Sequence, residues 1–234
     1  MGSLTALLVA TPIFGLSLHI TPMTPAPDLS LQTVTAVRAS ASLSAGAEGE
    51  GESDGDSYKD QIRSRNSLTK LHRPFGIATW GAMTVTTVLG VIQYYNLYGF
   101  FATQGENPCV KGTAIFGQGQ CSETPLPHAI AAGVTTALYA TTFTLAALMP
   151  DPDDLSSGKG EYASTLRMHK FLRWVHFGGM IAQAVLGVLI ANPDIIGLDR
   201  ANDYDTLQAL ATVHLGTGLV TYGALTWAGA LMTF

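Results

Sequence analysis

The sequence predicts an all-α membrane protein, a bundle of four transmembrane helices built from two repeated helical hairpins and preceded by a disordered N-terminal tail. Three observations lead there. Only 12% of the 234 residues are Asp, Glu, Lys or Arg, about half the share of a soluble domain. Mean hydropathy is +0.26, and the charge-free runs at 74–105, 124–150, 174–193 and 206–234 are each long enough to cross a hydrocarbon core of about 30 Å as a helix. The first and third of these runs also align without a gap. A lipid bilayer is therefore the first expected partner. The net charge of −5 and the missing basic stripe argue against nucleic acid. Two cysteines cannot build a disulfide scaffold or a four-thiolate metal site.

Residues 1–57 form the first unit. Residues 4–20 are apolar but lack a basic leader, which makes them a poor signal peptide or a marginal anchor. Residues 21–57 run through Pro, Ala, Ser, Thr and Gly into an acidic patch at 48–56, a composition that buries too little apolar surface to order. The transmembrane domain is 58–234. Lys59, Arg63, Arg65, Lys70 and Arg73 precede the first span, with Asn66 or Ser67 as its helix cap. The aromatic cluster of Tyr94, Tyr95, Tyr98, Phe100 and Phe101 closes it in the manner of a membrane interface. A loop with Cys109 and Cys121 leads to span two, which starts at Pro127 and His128 and ends at Met149 and Pro150. An acidic loop from Asp151 to Glu161 leads to span three, with Arg167, His169, Lys170 and Arg173 at its start. Asn192 and Pro193 end it, and span four runs to the C-terminus.

Nine of the eleven basic residues from Lys59 onward fall on the side holding the tail and the second loop. The positive-inside rule makes that side cytoplasmic and puts the Cys109/Cys121 loop outside, where an oxidising compartment allows a disulfide. A bacterial inner membrane is the expected location.

A shift of 97 residues lays span one on span three: His72 on His169, Gly81 on Gly178, Met83 on Met180, and the Val-Leu-Gly-Val at 88–91 on that at 185–188. Spans two and four align with His128 on His214 and Thr135 on Thr221. Such periodicity reads as one hairpin used twice.

Each span carries a histidine near its N-terminal end. Alternating direction puts His72 and His169 in one layer and His128 and His214 in the other, about 20 Å apart. Ionisable groups inside a membrane are costly and face the bundle interior for a reason. Paired imidazoles on neighbouring helices suit a planar metallocofactor with two axial nitrogens, namely two haem b groups held non-covalently, because no C-x-x-C-H is present. Gly76, Gly81, Gly133, Gly178, Gly179, Gly216 and Gly218 offer bare helix surface nearby, or close helix approach. Arg73, Lys170 and Arg173 lie beside the first layer as partners for haem propionates, or as an ordinary basic helix flank. The repeat selects His169 as the partner of His72, while burial selects His176, seven residues on along the same helix face.

The segment at 71–81, Leu-His-Arg-Pro-Phe-Gly-Ile-Ala-Thr-Trp-Gly, resembles the first-helix motif of the cytochrome b-561 core, a histidine followed by Trp-Gly. His169-Lys-Phe-Leu with Ala182-Gln183 and Leu186-Gly187 resembles its third-helix motif, and His128 and Val213-His214-Leu215-Gly216 its second and fourth. The resemblance covers residues 70–234. It implies a four-helix core with two b-type haems, ligated by His72 with His169 and His128 with His214. Arg73-Pro74 replaces the family's Gly-rich step, and His176 is extra. The expected function is a dihaem cytochrome, possessing transmembrane oxidoreductase character, that carries electrons between quinol, ascorbate or a redox protein on one face and an acceptor on the other. A homodimer or a subunit of a respiratory complex is the expected assembly. The rivals are a non-redox structural subunit whose histidines bond between helices, a metal transporter, and a single-haem cytochrome in which His128 and His214 are structural.

Overall fold

The computed structural model describes residues 53–121 and 126–232. The apolar segment 4–20, His19 and most of the predicted tail lie outside the described residues. Among those described, four long helices dominate and no strand occurs. They are α1 (Ser53–Tyr98), α2 (Leu126–Ala147), α3 (Glu161–Ala191) and α4 (Tyr204–Leu231).

Three of them, α1, α2 and α3, are long and apolar enough to cross a membrane, and their most apolar stretches are largely uncovered by protein. Ile77, Val85 and Val88 on α1, Val134 on α2 and Ile181 and Val185 on α3 all face outward. The most completely enclosed side chains are instead Thr79, Asn96 and Thr221. Apolar outside and small polar inside is the reverse of a water-soluble domain, and suits a solvent that offers no hydrogen bonds. α4, 28 residues long, is not one of those three.

α1 begins earlier than the sequence indicates. Its 46 residues run without a break from Ser53, about 69 Å at 1.5 Å per residue, so Asn66 and Ser67 are interior positions and residues 53–57 are helix. Ion pairs Lys59–Asp56 and Arg63–Asp60, both 3.1 Å, add support at i,i+3 spacing.

α1 packs along α2 and α4, and α4 along α3. Hydroxyls join the seams. Thr79 bonds Thr142 at 2.9 Å and Thr86 bonds Thr135 at 2.8 Å between α1 and α2; Thr84 bonds Tyr222 at 2.9 Å and Tyr94 bonds Thr212 at 2.7 Å between α1 and α4. At Gly179 α3 comes so close to α4 that any Cβ would overlap the Thr221 side chain, the approach that small residues permit in membrane bundles. α2 meets α3 through rings, with Phe143 stacked on Phe177 at 4.3 Å. The helices thus follow one another around the bundle, with α1 diagonal to α3 and α2 diagonal to α4.

The connections are tied by polar groups. Asn96 accepts from the Ile115 N–H at 2.8 Å and donates to its carbonyl at 3.1 Å, pinning the loop after α1. Cys109 and Cys121 are joined by a disulfide within that loop. Arg200 donates to the carbonyls of Ile190 and Ala191, acceptors that the last turn of α3 leaves unpaired. Asp151, after α2, accepts from Arg65 of α1 at 3.2 Å and from Lys170 of α3 at 2.9 Å.

The Lys170 hydrogen bond holds the Asp151 carboxyl below its ordinary range. Its contribution is therefore complete above the unfolded carboxylate pKa and disappears as pH falls through the lowered native value. Partly exposed pairs of this kind contribute about 1 kcal/mol or less. Asp151→Asn is expected to lower the unfolding midpoint slightly at pH 7 and to flatten part of the loss as pH falls through and below the unfolded carboxylate range, measured by thermal unfolding in detergent. An acid profile identical to the parent's would exclude this tie as a stability element.

Candidate functional site

The four histidines fall into two layers. Nineteen residues into α1, His72 sets Nδ1 3.1 Å from the Thr142 carbonyl on α2. Near the start of α3, His169 sets Nδ1 2.9 Å from the Ala228 carbonyl on α4. The two rings are near enough for the charge of one to bear on the other. Fourteen residues further along α1, a rise of about 21 Å, the Thr86 carbonyl stands 3.2 Å from Nδ1 of His128 on α2. His214 on α4 faces His128 across the bundle, with ring centroids 6.4 Å apart and planes at 85°.

A carbonyl can only accept, so Nδ1 of His72, His128 and His169 carries the proton and the lone pair is left on Nε2. That is how metal-binding imidazoles are oriented by their surroundings. His214 differs: its Nδ1 is buried with no hydrogen-bond partner. Among the described residues no group of three or more His, Cys, Asp or Glu side chains gathers as a metal site. The imidazoles come together as pairs.

These contacts recur at corresponding positions. The offset of 97 between α1 and α3 and that of 86 between α2 and α4 carry the pair His72–Thr142 onto His169–Ala228. They also carry Gly90–His128 onto Gly187–His214. A Cβ on Gly90 would meet His128 Cε1 at 3.0 Å, and one on Gly187 would meet His214 Cε1 at 3.4 Å. Each glycine is thus a flat seat for an imidazole.

Sequence reasoning passed over both seats. Of the glycines it singled out, Gly81, Gly178 and Gly216 face open space, and Gly179 and Gly218 face Thr221 and Gln183. The available signal was the doubled Val-Leu-Gly-Val, which had marked the repeat and nothing more.

The remaining candidates separate by environment. His176 is 7% exposed and bonds through Nδ1 to the Tyr139 hydroxyl at 2.7 Å, not to a carbonyl. Arg173 has a buried Nε with no partner, stacks over Trp174 at 5.2 Å, and its charge bears on both His72 and His169. Lys170 is engaged by Asp151 and Ser156. Arg73 is exposed.

No family model, curated protein or solved structure matches this chain.

The glycine seats give a direct comparison. Gly81→Ala meets nothing, so the better helix propensity of alanine is expected to leave stability unchanged or raise it by up to about 1 kcal/mol. Gly90→Ala must displace the His128 ring and is expected to destabilise by about 1–3 kcal/mol, measured by thermal unfolding in detergent. Equal midpoints for the two variants would mean that His128 is not held against α1.

Proposed function

We propose that this chain is a b-type dihaem cytochrome of the cytochrome b-561 kind, an integral membrane protein in which all four helices cross the bilayer as two repeated hairpins. The observation that carries this reading is the facing pair His128 and His214. An imidazole nitrogen binds a metal ion of this size at about 2.0–2.1 Å, so two rings on opposite sides of one ion stand with centroids about 6 Å apart. Their separation of 6.4 Å fits that demand. So do the carbonyl-backed Nδ1 atoms, which keep Nε2 as the donor, and the glycine seats, which keep helix surface out of the rings' way.

On this reading His128 and His214 hold one haem and His72 and His169 the other. His169 is preferred to His176 because its Nδ1 is backed by a carbonyl, as in His72. Bound haem supplies one-electron redox chemistry. The chain fixes the ligand rings, excludes water with apolar helix faces, and with the unpartnered Arg173 Nε offers a donor to a carboxylate beside the first layer. Haem held by a pair of imidazoles would favour electron transfer over oxygen chemistry. The donor is a quinol or an ascorbate-like reductant at one face and the acceptor a redox protein at the other. The basic side is proposed as cytoplasmic in a bacterial inner membrane, with the disulfide loop outside.

The same carbonyl bonds favour a second reading. His72, His128 and His169 each tie one helix to the next, as histidines of a non-redox structural subunit would. A dithionite-reduced minus oxidised spectrum, with a pyridine-haemochrome assay, separates the two. Two haem b groups per chain are expected, falling to one in His72→Ala and to one in His214→Ala. A colourless protein purified from haem-replete cells would eliminate the cytochrome reading and leave the structural one.

A further inference from the structure

The buried polar pair between α2 and α3 has no part in holding either proposed haem. Tyr139 and His176 are 6% and 7% exposed, and their hydroxyl and Nδ1 are 2.7 Å apart. Chemically this imidazole differs from the proposed ligands. A ring backed by a carbonyl must keep its proton on Nδ1, so it has one hydrogen-bonding role there. A phenol both donates and accepts. His176 can therefore be neutral, accepting from the Tyr139 O–H, or cationic, donating to the Tyr139 oxygen, with the same bond kept in both states.

The surroundings determine when the cation is tolerated. On α3 the charged or titratable groups facing His176 are Arg173 and His169. From α2 comes Tyr139. On α1, the charge of His72 bears on His169. α4 carries no Asp, Glu, Lys or Arg beyond Asp205. Arg173 thus sets a fixed positive charge facing His176, and in a low-dielectric interior a negative charge arriving nearby favours an added proton. An electron entering the His72–His169 layer is such a charge.

We propose that His176, with Tyr139, is a proton-accepting site coupled to reduction of the His72–His169 layer, so that the chain takes up a proton with the electron at that layer. The inference rests on the dihaem reading. With haem held by His72 and His169, one electron from the quinol or ascorbate-like donor would be taken up at that layer while one proton from the aqueous phase adds to Nδ1 of His176. The Tyr139 oxygen then accepts, its own O–H turning away. Oxidation by the acceptor returns both.

The test is an equilibrium redox titration of the haem-loaded protein from pH 5.5 to pH 8.5, with proton uptake on reduction followed by an indicator dye. One of two potentials is expected to depend on pH, its reduction equilibrium constant changing up to tenfold per pH unit for one proton per electron. His176→Phe is expected to abolish that dependence and the dye signal while both haems stay bound. Tyr139→Phe removes the acceptor for the cation and is expected to move the dependence to lower pH. Two pH-independent potentials in the parent, an unaltered dependence in either variant, or loss of a haem in His176→Phe would each overturn the proposal. Should His176→Phe fail to fold, the Tyr139→Phe titration decides. Absence of haem from the parent is a different result, and removes the dihaem reading itself.

Discussion

An imidazole N–H given to a backbone carbonyl on the next helix is the bond on which the rest of this bundle depends. Each such carbonyl lies in a helix but has a second lone pair to offer, so the tie costs no helical hydrogen bond. His72 to Thr142 and Thr86 to His128 join α1 and α2 from both ends, and His169 to Ala228 joins α3 and α4. In helices this apolar, a polar hydrogen left unpaired is expensive. The bond therefore fixes where the helices sit along one another and, at the same time, which nitrogen faces inward.

The order of the helices decides which rings meet. Because α1 packs along α2 and α4, and α4 along α3, the ties run between neighbours while His128 and His214 face each other across a diagonal. Neighbouring helices supply the bonds that orient His72, His128 and His169, and across the diagonal His214 faces His128 with its own Nδ1 unpartnered. Small residues make this possible. Gly179 brings α3 against Thr221, and Gly90 and Gly187 give flat surface to the rings.

Much of this was legible in the sequence because polar residues stand out against an apolar run. The positions of the helices followed from where charge is missing, and the histidine layers from alternation of direction. What stayed hidden was tertiary. Nothing near His176 announces Tyr139, which lies on another helix 37 residues away. Lys170 stands beside His169 in sequence, yet its ammonium is held by Asp151 and Ser156 from the preceding loop. Residues 53–57 read as linker because Pro-, Ser- and Gly-rich sequence precedes them, whereas α1 is already helical at Ser53 and carries ion pairs one turn apart just beyond it.

The two kinds of seam differ in how long the growing chain must wait for them. His72 meets Thr142 after 70 residues and His128 meets Thr86 after 42, and His169 meets Ala228 after 59. The indole N–H of Trp80, by contrast, finds the Thr226 hydroxyl only 146 residues later, and Thr84 waits 138 residues for Tyr222. Local pairing is fast and distant pairing slow, so the first hairpin is ready before the bundle can close. Closure then waits for α4, and until it arrives Trp80 and Thr84 on the first helix lack these partners.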